Sequence, residues 1–239
     1  MVKKLISILV TILLVTSAFS LSAFAQAGTD SSSVKDAYQE VREKLSGEFG
    51  IEVRAATDDE LKKVGLSRED VEKEISKLTP AEFEKELRKT LKDEIQISKT
   101  AKIKSSSAGI SEKDSKPVSD PAAKENNAQI TEISYYDVDT PKNISGGIAH
   151  LSAEIIVGST PSPRWGSVYE AYVLSGSLYT SPPFFAADTW NYSRLDAGRT
   201  IAVNFSGYTT DKYGNYIGSA TRYVEFYAFT PALYIVLNS

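Results

Sequence analysis

The feature that most constrains this chain is an abrupt change of composition near residue 128. Twelve of its thirteen tyrosines and both tryptophans lie beyond that point. Residues 26–128 hold 19 Lys/Arg and 22 Asp/Glu, and their only aromatics are Tyr38, Phe49 and Phe83. Residues 129–239 hold 6 Lys/Arg and 9 Asp/Glu. A stretch rich in charge and poor in aromatic residues buries its apolar side chains in narrow helical stripes. An aromatic, β-branched stretch suits pleated strands. The chain is therefore expected to be α+β in two parts: a helical module at 30–98, a flexible linker at 99–129, and an all-β antiparallel sandwich or small barrel at 130–239.

In the first part, Val34, Ala37, Tyr38, Val41 and Leu45 recur at helical spacing, and Gly47 is placed to end that helix. Residues 50–55 suit a short extended piece. Thr57-Asp58-Asp59-Glu60 and Thr79-Pro80-Ala81-Glu82 read as capping boxes. In each, the Thr hydroxyl and the Glu carboxylate serve backbone N–H groups that the first helical turn leaves unpaired. Pro80 strengthens the second, since a first helical residue needs no N–H donor. Ser67-Arg68-Glu69-Asp70 is a weaker start. The last helix is expected to reach about Gln96, with Phe83, Leu87, Leu91 and Ile95 as its stripe. Beyond it, Ser105 to Ser107, Gly109, Pro117 and Pro121 break the period. A flexible segment of this length spans about 30 Å, enough for two halves to move independently.

In the second part, Ala149, Leu151, Ala153, Ile155 and Val157 alternate with polar residues, as do Ile201, Val203 and Phe205, and then Ala220, Val224 and Phe226. Period two is the strand signature. Six strands are expected near 130–138, 147–157, 167–175, 186–194, 199–208 and 217–229. Asp196-Ala197-Gly198 and Tyr213-Gly214-Asn215 are the expected hairpin turns. Pro182-Pro183 belongs in a loop or at a sheet edge.

The first residues bear on localisation. Lys3 and Lys4 precede an uncharged apolar run from Leu5 to Leu21, and Ala23-Phe24-Ala25 supplies small residues at a cleavage position. Residues 1–25 are expected to be a signal peptide, removed to leave a secreted chain that starts at about Gln26. Serines and threonines dilute the apolar run, which argues against a stable membrane anchor. The ending Ile235 to Ser239 carries no basic anchor signal. The chain has no cysteine, so an exported form is free of disulfides and relies on core burial, in the manner of a bacterial secreted protein.

The same composition narrows the chemistry. Cysteine nucleophiles and His/Cys zinc sites are excluded by the absence of cysteine and the presence of one histidine, His150. No glycine-rich phosphate loop is present, so no nucleotide cofactor is expected. A net charge of −4 argues against nucleic acid as a partner. His150 falls mid-strand, where a solvated imidazole is the simplest reading. Asp137 and Asp139 share one face of a strand. They are the candidates for paired-carboxylate hydrolysis of a glycan, or for weak cation binding with Asp188 or Asp211. The most distinctive residues are Trp165, Trp190, Tyr192, Tyr213 and Tyr216. They lie in or beside expected loops, where rings stack on sugars or anchor a protein partner; the alternative is that they complete the core. The expected function is a secreted binding or interaction protein whose ligand is a glycan, cell-wall material or a protein. The alternatives are a secreted glycan hydrolase, and a matrix protein that self-associates through sheet edges.

Overall fold

The computed structural model describes residues 31–109, 134–158 and 162–229. The expected signal peptide and most of the expected linker lie outside them. Among the described residues, no helix is long and apolar enough to cross a membrane. The chain divides into two units, Met1–Glu40 and Val41–Ser239. The described part of the first is helical. Apart from the start of the first helix, all that follows concerns the second.

The architecture is α+β: helices precede a C-terminal region of two antiparallel sheets that do not close on each other. Helix α1 (Ser31–Phe49) ends at Gly50, whose φ of 65° suits glycine. Strand β1 (Val53–Ala55) and the short helices α2 (Asp58–Lys63) and α3 (Arg68–Ile75) follow. The long helix α4 spans Pro80–Ser107. Both capping boxes form: the hydroxyls of Thr57 and Thr79 accept from the backbone of Glu60 and Glu82, whose carboxylates accept in return from the cap N–H. Ser67 caps α3.

The β region comprises β2 (Ser134–Ile144), β3 (Gly147–Val157), β4 (Arg164–Leu174), β5 (Phe184–Leu195), β6 (Thr200–Thr210) and β7 (Asn215–Tyr227). One sheet has the order β2-β3-β4 and the other β1-β7-β6-β5. The alternating apolar residues of both point into one core. Leu151 and Ile155 of β3 and Trp165 of β4 meet Phe185, Phe205 and Phe226 of β5, β6 and β7. The Asp196–Gly198 turn joins β5 to β6 with positive φ at all three residues, and Pro182-Pro183 precedes β5. Strand β2 runs to Ile144, beyond the expected end at 138, and the expected start at 130–133 lies outside the described residues.

The helical and β parts are not independent within Val41–Ser239. β1 pairs with the start of β7, Val53 opposite Ile217. Arg42 Nε donates to Asn215 Oδ1 at 2.7 Å. Helix α4 packs along β7 and β6, and it continues through Ser107 where the sequence reads as linker. The cause is tertiary. Ala101 and Ser105 are buried, and the Ser105 hydroxyl donates to Asn204 Oδ1 at 2.6 Å, so packing on the sheet outweighs the weak helix propensity of the serines. The buried stripe of α4 begins with Phe83, Leu87 and Leu91 as expected. Its next buried residue is Glu94, while Ile95 is only partly buried. Glu94 is held by both terminal nitrogens of Arg222, each at 2.7 Å, with both side chains almost fully buried.

Candidate functional site

The five candidate aromatics do not form one face. Trp165 is buried, and its indole N–H donates to the Phe226 carbonyl at 3.0 Å. Trp190 and Tyr192 are half-buried neighbours, ring centroids 6.0 Å apart, packed against the shared core. Tyr216 lies beneath the Arg54 guanidinium at 4.0 Å and beside Tyr208. Tyr213, the residue that reads most plainly as an exposed turn, is 6% exposed. Its ring meets Phe83 of α4 edge-on at 6.2 Å. Below it, Asp211 accepts from the N–H groups of Tyr213 and Asn215, so the polar turn is satisfied internally while α4 covers it. The expectation of surface exposure fails there because a polar turn carries no record of what packs over it.

The carboxylates are more informative. Asp137 and Asp139 project from the outward face of β2, register partners of Glu154 and Ser152. Asp137 Oδ1 accepts from the Tyr169 hydroxyl at 2.7 Å. Asp139 Oδ2 accepts from the Tyr172 hydroxyl at 3.0 Å, and its Oδ1 lies 3.1 Å from His150 Nδ1. The imidazole stacks on the Tyr172 ring, centroids 4.7 Å apart and planes 9° from parallel. Tyr135 and Tyr169 are more than half exposed. The outward face of the β2-β3-β4 sheet is therefore a lattice of tyrosines, acids and one histidine. The Asp137 carboxylate, as acceptor, pushes the Tyr169 phenol up to about 12. Tyr172 is also raised, first by burial and then by its bond to Asp139.

The two acids sit two residues apart on one strand, with oxygens tied to neighbouring side chains, and do not oppose each other across a gap. Asp188 is elsewhere, paired with Lys63 at 3.1 Å, and Asp211 is enclosed in its turn. Among the described residues, no three His, Cys, Asp or Glu side chains are grouped as metal ligands.

A second concave feature was not legible in the sequence. A cleft of about 510 Å³ opens between α4, the end of β2 and β7. It exists because β1 pairs with only Asn215, Tyr216 and Ile217, so that no described strand pairs with this edge of β7 from Gly218 onward. Lys142 Nζ donates to the Glu225 carbonyl at 2.7 Å and stands 5.1 Å from the Tyr227 ring centroid. Both Glu225 carboxylate oxygens accept phenolic hydroxyls, from Tyr223 and Tyr227, each at 2.6 Å. Those bonds hold the Glu225 carboxyl below its ordinary range. Lining residues from three elements far apart in sequence leave no local motif to read.

No protein-family model, curated protein or solved structure matches this chain, so the geometry stands without a relative beside it.

Proposed function

We propose that the protein is a secreted, non-enzymatic binding protein on a β-sandwich scaffold, and that the outward face of the β2-β3-β4 sheet is its binding surface. The observation that carries this reading is the pairing of Tyr169 with Asp137 and of Tyr172 with Asp139. Each carboxylate fixes a phenol on an open face, so less side-chain entropy is lost when a partner stacks on the ring. Tyrosine suits such a surface because its ring is apolar and its hydroxyl remains wet. The partner is extracellular, either a cell-wall glycan or a protein. Export follows from the signal pattern of residues 1–25. The hydrolase reading has less support, because general acid and base catalysis needs two carboxylates flanking a bond, and Asp137 and Asp139 lie side by side. Self-association through β2 has less support too, since Pro141 and Lys142 blunt that edge strand.

The test is a binding isotherm of the mature full-length chain on insoluble cell-wall material, with a parallel capture of secreted proteins. Tyr135→Ala and Tyr169→Ala each weaken retention about thirty-fold, the cost of one hot-spot aromatic, without changing Tm. Retention that is unchanged in both variants sinks the assignment of this face.

A further inference from the structure

We infer that the cleft between α4, β2 and β7 is a second binding site, and that it takes an acidic saccharide: a sugar ring bearing a carboxylate. The inference is independent of the sheet-face reading. The cleft's volume of about 510 Å³ falls in the range of small-ligand sites, and three elements converge on it.

Its charge selects an anion. Lys104 of α4 and Lys142 of β2 both line the cleft. Lys104 is exposed, and among the described residues its ammonium group makes no hydrogen bond. The third cation, Arg222, is neutralised by Glu94. The one other acid in the lining, Glu225, has both oxygens capped by tyrosine hydroxyls, which spreads its charge. Two lysines against one capped carboxylate leave the cleft net positive.

The remaining lining selects a hydroxylated ring over an extended peptide. A peptide strand would add to the edge of β7 through free backbone groups. Here three of those groups are already engaged by side chains, at both ends of the stretch Thr221 to Glu225. The Thr221 N–H donates to Ser98 Oγ at 3.3 Å, the Thr221 carbonyl accepts from Arg222 at 3.1 Å, and the Glu225 carbonyl accepts from Lys142. What the cleft still presents is the exposed ring of Tyr227 and the neutral hydrogen-bonding side chains of Gln96 and Asn143. An aromatic platform for the ring face, amides for hydroxyls and ammonium groups for a carboxylate together describe a uronic-acid unit.

The experiment is calorimetric titration of the mature full-length chain with trigalacturonate, with a neutral galactose trimer and a triglutamate peptide as comparison probes. Trigalacturonate binds, and binding weakens as salt rises. Lys104→Glu and Lys142→Gln each cost about tenfold or more in affinity, the worth of a hydrogen bond to a charged group. Tyr227→Ala weakens binding, and Lys104→Arg retains it. Tyr169→Ala leaves it unchanged, which separates this site from the sheet face. Lys104 is exposed on α4, so its variants test the site without disturbing the core. The inference is overturned if trigalacturonate does not bind, if its binding survives Lys104→Glu, if the neutral trimer binds equally well, or if triglutamate alone is bound.

Discussion

Glu94 and Arg222 lie 128 residues apart and form a two-pronged ion pair, both contacts at 2.7 Å, with side chains 3% and 2% exposed. Arg222 also donates to the Ser145 carbonyl at 2.7 Å, and its guanidinium stands 4.7 Å from the Phe185 ring centroid. One arginine thus ties α4, the β2–β3 turn and the sheet core together. Removing either partner strands a buried charge. Glu94→Ala and Arg222→Ala are each expected to cost about 3–5 kcal/mol, read by urea denaturation. A Glu94→Leu, Arg222→Met double variant is expected to be more stable than either single change, because it leaves no charge behind. Near-additive losses would show that the pair is not the source of the cost.

Tyr213→Ala is expected to lower stability by about 3 kcal/mol, since the ring fills space against Phe83. Tyr213→Phe, which keeps the ring, is expected to fold with nearly the parent Tm. Thermal melts of the two variants decide it, and a Tyr213→Ala protein with unchanged Tm would place the ring at the surface.

Acid stability is expected to depend on Glu60. Its hydrogen bond from Arg54 and its place in the Thr57 capping box bring its pKa down from 4.5 to about 2. A carboxyl depressed in the folded state contributes stability that is present above pH 4.5 and lost as pH falls through about 2. The pair is partly exposed, at 35% and 18%, so screening reduces its worth to about 1 kcal/mol. Denaturation curves across that window are expected to be flatter for Glu60→Gln; parallel profiles would remove Glu60 from the acid response.

Tyr169 is expected to ionise near pH 12 in the parent and closer to an ordinary phenol, near 10, in Asp137→Asn. A neutral amide no longer penalises the phenolate. Ring-carbon shifts in tyrosine-labelled protein follow this one residue, and identical titrations in the two proteins would show that the Tyr169–Asp137 bond does not persist in solution.

The helix starts were legible because capping is local: Thr57 with Glu60 and Thr79 with Glu82 sit within four residues, and the box they spell is the box they form. The strand alternation of β3 was legible for the same reason, as each residue declares its own face. What was hidden depends on partners distant in sequence. Ser105 is helical because Asn204 receives its hydroxyl, and Tyr213 is buried because Phe83 covers it. The face that holds Asp137 and Asp139 was anticipated from their spacing. Their partners Tyr169, Tyr172 and His150 come from other strands, and no spacing rule joins them. The cleft was invisible because it arises from a strand pairing that stops at Ile217.

That short pairing also bears on how the chain acquires its fold. A chain is made from its first residue onward, and β7 is the last strand of the sheet to appear. Its partners Val53, Arg42 and Glu94 appear among the earliest. Contacts between such distant segments need a large loop to close before they return any energy, which slows folding and keeps early segments waiting. A chain cut short before Asn215 loses β7, one of the two strands on which α4 packs, and is expected to leave that helix partly uncovered and open to proteases.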